Sequence, residues 1–541
     1  MEADDAHTLL LTAARLNASS EELRYEARKI VAELSFLPLA VDQAGTAIAR
    51  GLADLHGYLA MYANHRQRLM AYPSFKGATN YGRAAYGTWD MLFQAINSQR
   101  ESVTGAESAI IVLETFAFLH PENIQEDIFR HAAEHSETTV QFPLALDKEK
   151  KWDPFFFNEG IEMLLSYSLI RRGGSRKSYA VHSLVHNWSR DRMEPAERVT
   201  KCASAKDILV LSIPMEDTGA EYAFRRGILP HVKAIRQYVA EVNAPPSHDD
   251  EEFNKFWRVY YDSGYGKDAE DMISRAVDLR TATYGLEDPR TLDSQDRLVV
   301  TYFLLEKWVD AERLAVAIVD GRTKIMGPDE RSTLATMSNL ALTYKSQRKS
   351  REAEELGREV LERKRRTLGP EHPDLVPTMN VLASTYADLE QWEEGERLAL
   401  KVVEMTKAQF GADHPRMILR QLTLARVVIG QGRLDDAEKL TLRILAMSKE
   451  LHGVHSPTTV MCMSYVGMVY FHQGDVANAV AILDQALAIG QSVLEPGHPD
   501  LVRIQENLDH LKQRIGDGTG AGEVDRTESS KDKFIYRRWN T

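Results

Sequence analysis

The chain has 541 residues, too many for one hydrophobic core, because single cores stop growing at roughly 250–300 residues, so several domains are expected. Apolar residues make up 43% and charged residues 27%, a balance that excludes disorder as the bulk state. The formal net charge is −13 with no dense Lys/Arg run, which lacks the electrostatic footprint of a nucleic-acid or anionic-membrane binder, so neither partner is expected.

The N-terminal stretch "MEADDAHTLLLTAARLNASSEE" places acidic residues ahead of a short apolar patch, the reverse of a secretory signal. No apolar run is read as reaching the roughly 18 residues of a membrane span. Cys202 and Cys462 lie far apart, which fits a reducing compartment and gives neither a disulfide framework nor a zinc site. A cytoplasmic protein is expected.

Residues 1–75 carry the apolar helix "LSFLPLAVDQAGTAIAR" behind a Leu-Pro-Leu-Ala step. The run Gly82-Arg83-Ala84-Ala85-Tyr86-Gly87-Thr88-Trp89 has the two glycines of a phosphate loop and lacks its lysine, so no nucleotide cradle is expected there. Residues 85–198 run from "YGTWDMLFQAI" through "LETFAFLHPENIQEDIF" and "IEMLLSYSLIRR" to "SYAVHSLVHNWSRDRM". Short helices followed by two strand-like runs around Gly173-Gly174 give the layout of a winged helix. His182 and His186 stand four apart, but no Glu or Cys accompanies them at metal-site spacing; structural histidines are expected and no metal site. Residues 199–247, with "RRGILPHVKAIRQYVAEV", are expected to form bridging helices that lead into the C-terminal half.

From 248 to 514 the chain repeats every 42 residues. Pro289, Pro373, Pro415, Pro457 and Pro499 fall in one register, with Arg331 in the vacant slot. Gly285, Gly327, Gly369, Gly411 and Gly453 stand four residues ahead, Glu495 being the exception. Glycine suits the left-handed end of a helix, and proline its first turn. Between these marks lie two helical patterns. The first carries Leu298, Leu340, Leu382, Leu424 and Val466, then Val299, Ala341, Ala383, Ala425 and Gly467. The second carries the small column Ala269, Ala311, Ala353, Gly395, Ala437 and Ala479. Small residues let paired helices approach, and the larger apolar ones must bury against the next pair, because one repeat cannot cover its own face. A solenoid of about six helix pairs is therefore expected. His372, His414 and His498 precede the prolines and belong to turns. Residues 515–541 are Gly-rich and polar and end in "FIYRRWNT"; a disordered tail is expected.

No G-x-S-x-G elbow and no paired acid and base stand out, so no catalytic residues, no enzyme activity and no cofactor are expected.

The columns Leu-Ala-x-x-Tyr and Ala-Glu, with "GPEHPD" between copies, resemble the tetratricopeptide repeats of kinesin light chains over residues 248–512. That resemblance implies a right-handed α-solenoid that binds a protein or peptide on its concave face, with self-association left open. In those light chains two adjacent asparagines ahead of the Leu-Ala column clamp extended peptide backbone. Asn339 and Asn380 match them here, while Arg297, Ser338, Thr423 and Tyr465 fill the same columns in other copies; these six are the candidate groove residues.

Residues 7–200 resemble the helical and winged-helix parts of fungal NB-ARC proteins with tetratricopeptide repeats, NLR-like members of the STAND class. The resemblance implies that Pro38, in Phe36-Leu37-Pro38-Leu39-Ala40, lies near the adenine, and that His182, in Val181-His182-Ser183, reaches a nucleotide phosphate. Phe36 stands where that family has Gly, and Val181 and Ser183 where it has Met and Asp, so both positions are read as vestigial. The family's phosphate-binding domain would precede Met1. The expected architecture is all-α: a partial NB-ARC helical domain (1–75), a winged-helix domain (85–198), bridging helices (199–247), a repeat solenoid (248–514) and a tail (515–541). The expected function is a non-catalytic, NLR-like recognition or regulatory scaffold. A cargo adaptor of kinesin-light-chain type and a fragment of a STAND NTPase are the alternatives.

Overall fold

The computed structural model describes residues 3–17, 21–34, 36–63, 80–135, 144–146, 151–174, 177–216, 218–243, 250–494 and 498–516. The tail at 517–541, "FIYRRWNT" included, and Glu495 lie outside them. The chain divides into two compact units, Met1–Glu216 with Phe224–His248, and Asp217–Ala223 with Asp249–Thr541. Almost all regular structure is α-helix.

In the first unit, α1 (Ala3–Ala13), α2 (Glu21–Glu33) and α3 (Pro38–Ala49) pack together, followed by α4 (Asn80–Asn97) and α5 (Thr104–Phe116). Pro38 occupies the first turn of α3, where its missing N–H costs nothing. Gln43 on α3 is fully buried because both ends of its amide are used: it donates to Ser168 O at 2.6 Å and accepts from the Trp89 indole. The run 82–89 is helical within α4. The helix α6 (Glu126–Glu134) follows β1 (Ile124–Gln125), and α7 (Phe155–Ser166) crosses α5. Gly160 permits that crossing: a Cβ there would meet Ala109 N and Ser108 C at 2.8 Å. The strands expected around Gly173-Gly174 are β2 (Arg171–Arg172) and β3 (Ser178–Ala180), which pair antiparallel in a sheet ordered β1-β3-β2. The core beneath the sheet is aromatic, with Phe129 and Phe157 centroids 4.7 Å apart and Tyr179 6.1 Å from Phe157. Then come α8 (Ser183–Asp191), α9 (Pro195–Ser212), α10 (Gly219–Gly227), which crosses the boundary between units, and α11 (Leu229–Glu241).

The second unit is a run of antiparallel helix pairs: α12 (Asp250–Asp262) with α13 (Gly266–Tyr284), α14 (Pro289–Leu304) with α15 (Trp308–Ile325), α16 (Arg331–Ser346) with α17 (Ser350–Leu368), α18 (Leu375–Asp388) with α19 (Trp392–Phe410), α20 (Pro415–Gly430) with α21 (Leu434–His452), and α22 (Pro457–His472) with α23 (Val476–Val493), closed by α24 (Pro499–Gly516). The small column of the second helices is fully buried at Ala269, Ala311, Ala353, Ala437 and Ala479. Gly285, Gly327, Gly369, Gly411 and Gly453 end the second helices at φ between +79° and +100°.

One sequence expectation is corrected. Val476–Val493 is long and apolar enough, by length and composition, to cross a membrane, with mean hydropathy 1.3. It passes because small apolar residues dominate around one charge, Asp484. In the fold it is the second helix of the sixth pair, burying Ala479, Leu483 and Ala486.

Candidate functional site: the inner face of the solenoid

Curvature decides which face can enclose a ligand. Successive first helices α14, α16, α18, α20 and α22 pack directly on one another as well as on their neighbours in sequence, contacts that the second helices lack at the same density. The first helices therefore line the inside of the curve. Arg503 on α24 forms a 2.8 Å ion pair with Glu306, which lies in the turn between α14 and α15, 197 residues earlier.

The six expected groove residues divide by burial. Asn339, Asn380 and Arg297 are half-buried on α16, α18 and α14. The Asn380 Oδ1 is buried without a hydrogen-bond donor among the described residues. Arg297 donates to Asn254 Oδ1 and lies 5.5 Å from the Trp257 ring centroid. Burial and then the like charge of Arg280 lower its pKa. Ser338, Thr423 and Tyr465 are buried. The Ser338 hydroxyl is committed to the protein, donating to Leu334 O at 2.8 Å and accepting from Lys364 Nζ at 2.9 Å. Thr423 turns back to Leu419 O at 3.3 Å. Burial pushes the Tyr465 phenol up to about 12.

Sequence reasoning missed three polar neighbours on the same helices. Among the described residues the Gln421 Oε1 is buried with no donor, and the Arg420 Nε is buried with no acceptor. Burial, then the adjacent Arg416, brings the Arg420 guanidinium down to about 10. The Lys345 Nζ is buried with no hydrogen-bond acceptor among the described residues, and its ion pair with Asp388 Oδ2 is 3.8 Å long. Burial drives its pKa down to about 7. Arg426 holds Asp388 and, at 3.2 Å, Ser384. Arg420 and Gln421 fall in repeat columns where other copies carry Thr336, Thr378 and Cys462, or Met337, Met379 and Met463, so departure from the column is the signal that could have found them. A buried donor or acceptor without a partner costs roughly 1–3 kcal/mol. Donors at Lys345 and Arg420 and acceptors at Asn380 and Gln421 are therefore strained polar points beneath the inner helices.

His182 and His186 serve different ends. His182 caps α8, its Nδ1 accepting from Leu184 N at 3.3 Å. His186 is buried; its Nε2 lies 2.8 Å from Leu119 O and its Nδ1 2.9 Å from the Arg190 guanidinium. Desolvation, reinforced by Arg190, lowers its pKa to about 3, so the ring is neutral at pH 7. Among the described residues no cluster of three or more His, Cys, Asp or Glu could hold a metal ion.

Family models described as tetratricopeptide repeat match residues 333–374 and 459–500, and a second such model matches 374–450. Residues 103–198 match a domain of unknown function, DUF7779. None of these descriptions names a catalytic activity. No curated protein matches. Among solved structures, putative kinesin light chain repeats from Podosopora anserina share 25% identity over 39% of this chain and 100% of theirs, with a TM-score of 0.32. A STAND protein with a tetratricopeptide repeat sensor from Pyrococcus horikoshii shares 14% over 96% of this chain and 72% of its own, with a TM-score of 0.40. A Rap protein complexed with competence and sporulation factor shares 10% over 60% and 94%, with a TM-score of 0.39. The family models and the 42-residue register agree: residues 333–450 and 459–500 are tetratricopeptide repeats.

Proposed function

We propose that the protein is a non-catalytic recognition scaffold, NLR-like in organisation, whose solenoid binds an extended protein segment along its inner face. The observation that carries this reading is the row of half-buried polar side chains on successive first helices, Arg297, Asn339, Asn380 and Arg420. An extended backbone presents N–H and C=O groups in alternation, which such amide and guanidinium groups can pair. Two buried free thiols, Cys202 and Cys462, support placing the protein in the cytoplasm.

The test is a random-peptide display selection on the full chain, followed by titration of a selected peptide against Asn380→Ala and Asn339→Ala. Losing one such contact is expected to weaken binding about tenfold. Unchanged affinity in both variants would remove the inner face from the site.

A further inference from the structure

A cavity of about 350 Å³ lies within the first unit, walled by Tyr86, Phe118, Asn187, Arg190, Asp191, Arg198, Tyr238, Glu241 and Val242. This is at the small end of the roughly 300–1,000 Å³ usual for ligand sites. It stands at the C-terminal end of α8, away from the His182 cap at the other end.

The walls divide into an apolar part and a charged part. Phe118 meets the Tyr238 ring edge-on at 6.0 Å, and the Arg190 guanidinium carbon lies over the Tyr238 ring, 4.3 Å from its centroid. Arg190 is fully engaged, donating to Ala117 O, to Asn187 Oδ1 at 2.6 Å and to His186. It therefore acts as wall. Arg198 is different: its Nε is buried with no acceptor among the described residues. The carboxylates are Asp191, which accepts from the Tyr86 hydroxyl at 3.3 Å, and Glu241 at the rim, which accepts from Gln237 at 2.7 Å. Asp191 lies close enough to Arg198 to feel its charge, and burial is the main force raising its pKa.

Chemistry and charge balance then select the occupant. The unfilled Arg198 donor suits a ligand acceptor, best an anionic one that can use the guanidinium fork. Two cations and two carboxylates in the walls leave no net charge to hold a polyanion, and Asp191 and Glu241 would repel a nucleotide phosphate chain. A molecule carrying one carboxylate and one ammonium close together satisfies both signs. Tyr86, Phe118 and Val242 offer the remaining space to an apolar group. We propose that this cavity binds a free L-α-amino acid with an apolar side chain, its carboxylate on Arg198 and its ammonium facing Asp191 and Glu241.

The experiment is isothermal titration calorimetry of the full chain with the common L-amino acids, then with the amide and the N-acetyl derivative of the best binder. Saturable binding of an apolar amino acid is expected, with each derivative at least about tenfold weaker, because each loses one charged contact. Arg198→Gln is expected to abolish binding while its melting temperature stays near that of the parent. If no amino acid binds at millimolar concentration, if the derivatives bind as well as the parent compound, or if ATP binds this cavity instead, the assignment is overturned. The derivatives are tested on the unaltered protein, so a folding defect in the variant leaves the outcome decisive.

Discussion

Asp288, Glu330, His372, His414 and His498 stand at multiples of 42 residues, and each side chain accepts a hydrogen bond from the backbone N–H two residues on, at 2.6–3.2 Å. Three chemical types thus do one job, closing an orphan donor at a helix start. Inside the repeats, Arg322 is 1% exposed and binds Asp293 at 2.6 Å, Asp296 at 2.5 Å and Ser332 O at 2.9 Å. Burial is the first force raising the Asp296 pKa, which Arg322 opposes. Arg322→Met would strand that carboxylate, and a loss on the order of 3–5 kcal/mol is expected. Urea unfolding checks it, and Asp296→Asn in the same background should recover part of the loss.

Two histidines give a pH dependence whose sign is fixed. His186 is brought down to about 3 and His231 to about 4, both chiefly by desolvation. Between those values and the unfolded value near 6.5, the unfolded chain holds more protons than the folded one. Stability therefore falls as pH drops from about 6.5 towards 4. Melting temperature against pH should show that decline. His186→Leu should flatten it, and an equal slope in the variant would remove His186 as a cause.

At the scale of elements, two backbone columns set the solenoid. The glycines that end the second helices pair their positive φ with ψ of 161–169° at Gly285, Gly369, Gly411 and Gly453, a region open almost only to glycine. No side chain crowds Gly369, so its requirement is purely conformational, and Gly369→Ala should cost roughly 1–3 kcal/mol. The other column lies in the turn between first and second helices: Gly264, Glu306, Arg348, Glu390, Gly432 and Gly474 all have φ between +52° and +82°. In three copies a residue with a Cβ sits in the left-handed region. Arg348→Gly should raise the melting temperature slightly and Arg348→Val lower it, as differential scanning calorimetry would show.

The contrast explains what the sequence revealed. The first column was legible because glycine occupies every described copy. The second was hidden because Glu and Arg carry no turn signature, and only the backbone angles disclose the shared conformation. The helix pairs from Asp250 to Val493 and the β2–β3 hairpin around Gly173-Gly174 were readable from periodicity and punctuation. The candidate site was half-legible: Asn339 and Asn380 stand on the inner helices, but Ser338 is turned into the core by Lys364. Gln421 and Arg420 broke their columns without matching any motif. Burial of a particular atom depends on neighbours 42 residues away, which a column of letters does not contain.

For the whole molecule, the proposed site for an extended chain lies along the inner helices, in the unit that the Arg503–Glu306 pair spans. A rival surface exists in the same unit: the outer cleft of about 540 Å³ lined by Arg365, Arg397, Leu400 and Lys401, where Leu400 is 50% exposed. Photo-crosslinking separates the two. A photoreactive phenylalanine analogue replaces Asn339 or Asn380 on the inner face, or Leu400 or Leu442 on the second helices, and a display-selected peptide is added before irradiation. The account predicts covalent peptide adducts from positions 339 and 380 and none above background from 400 and 442. Adducts from the outer positions alone, or in equal yield from both faces, would contradict it.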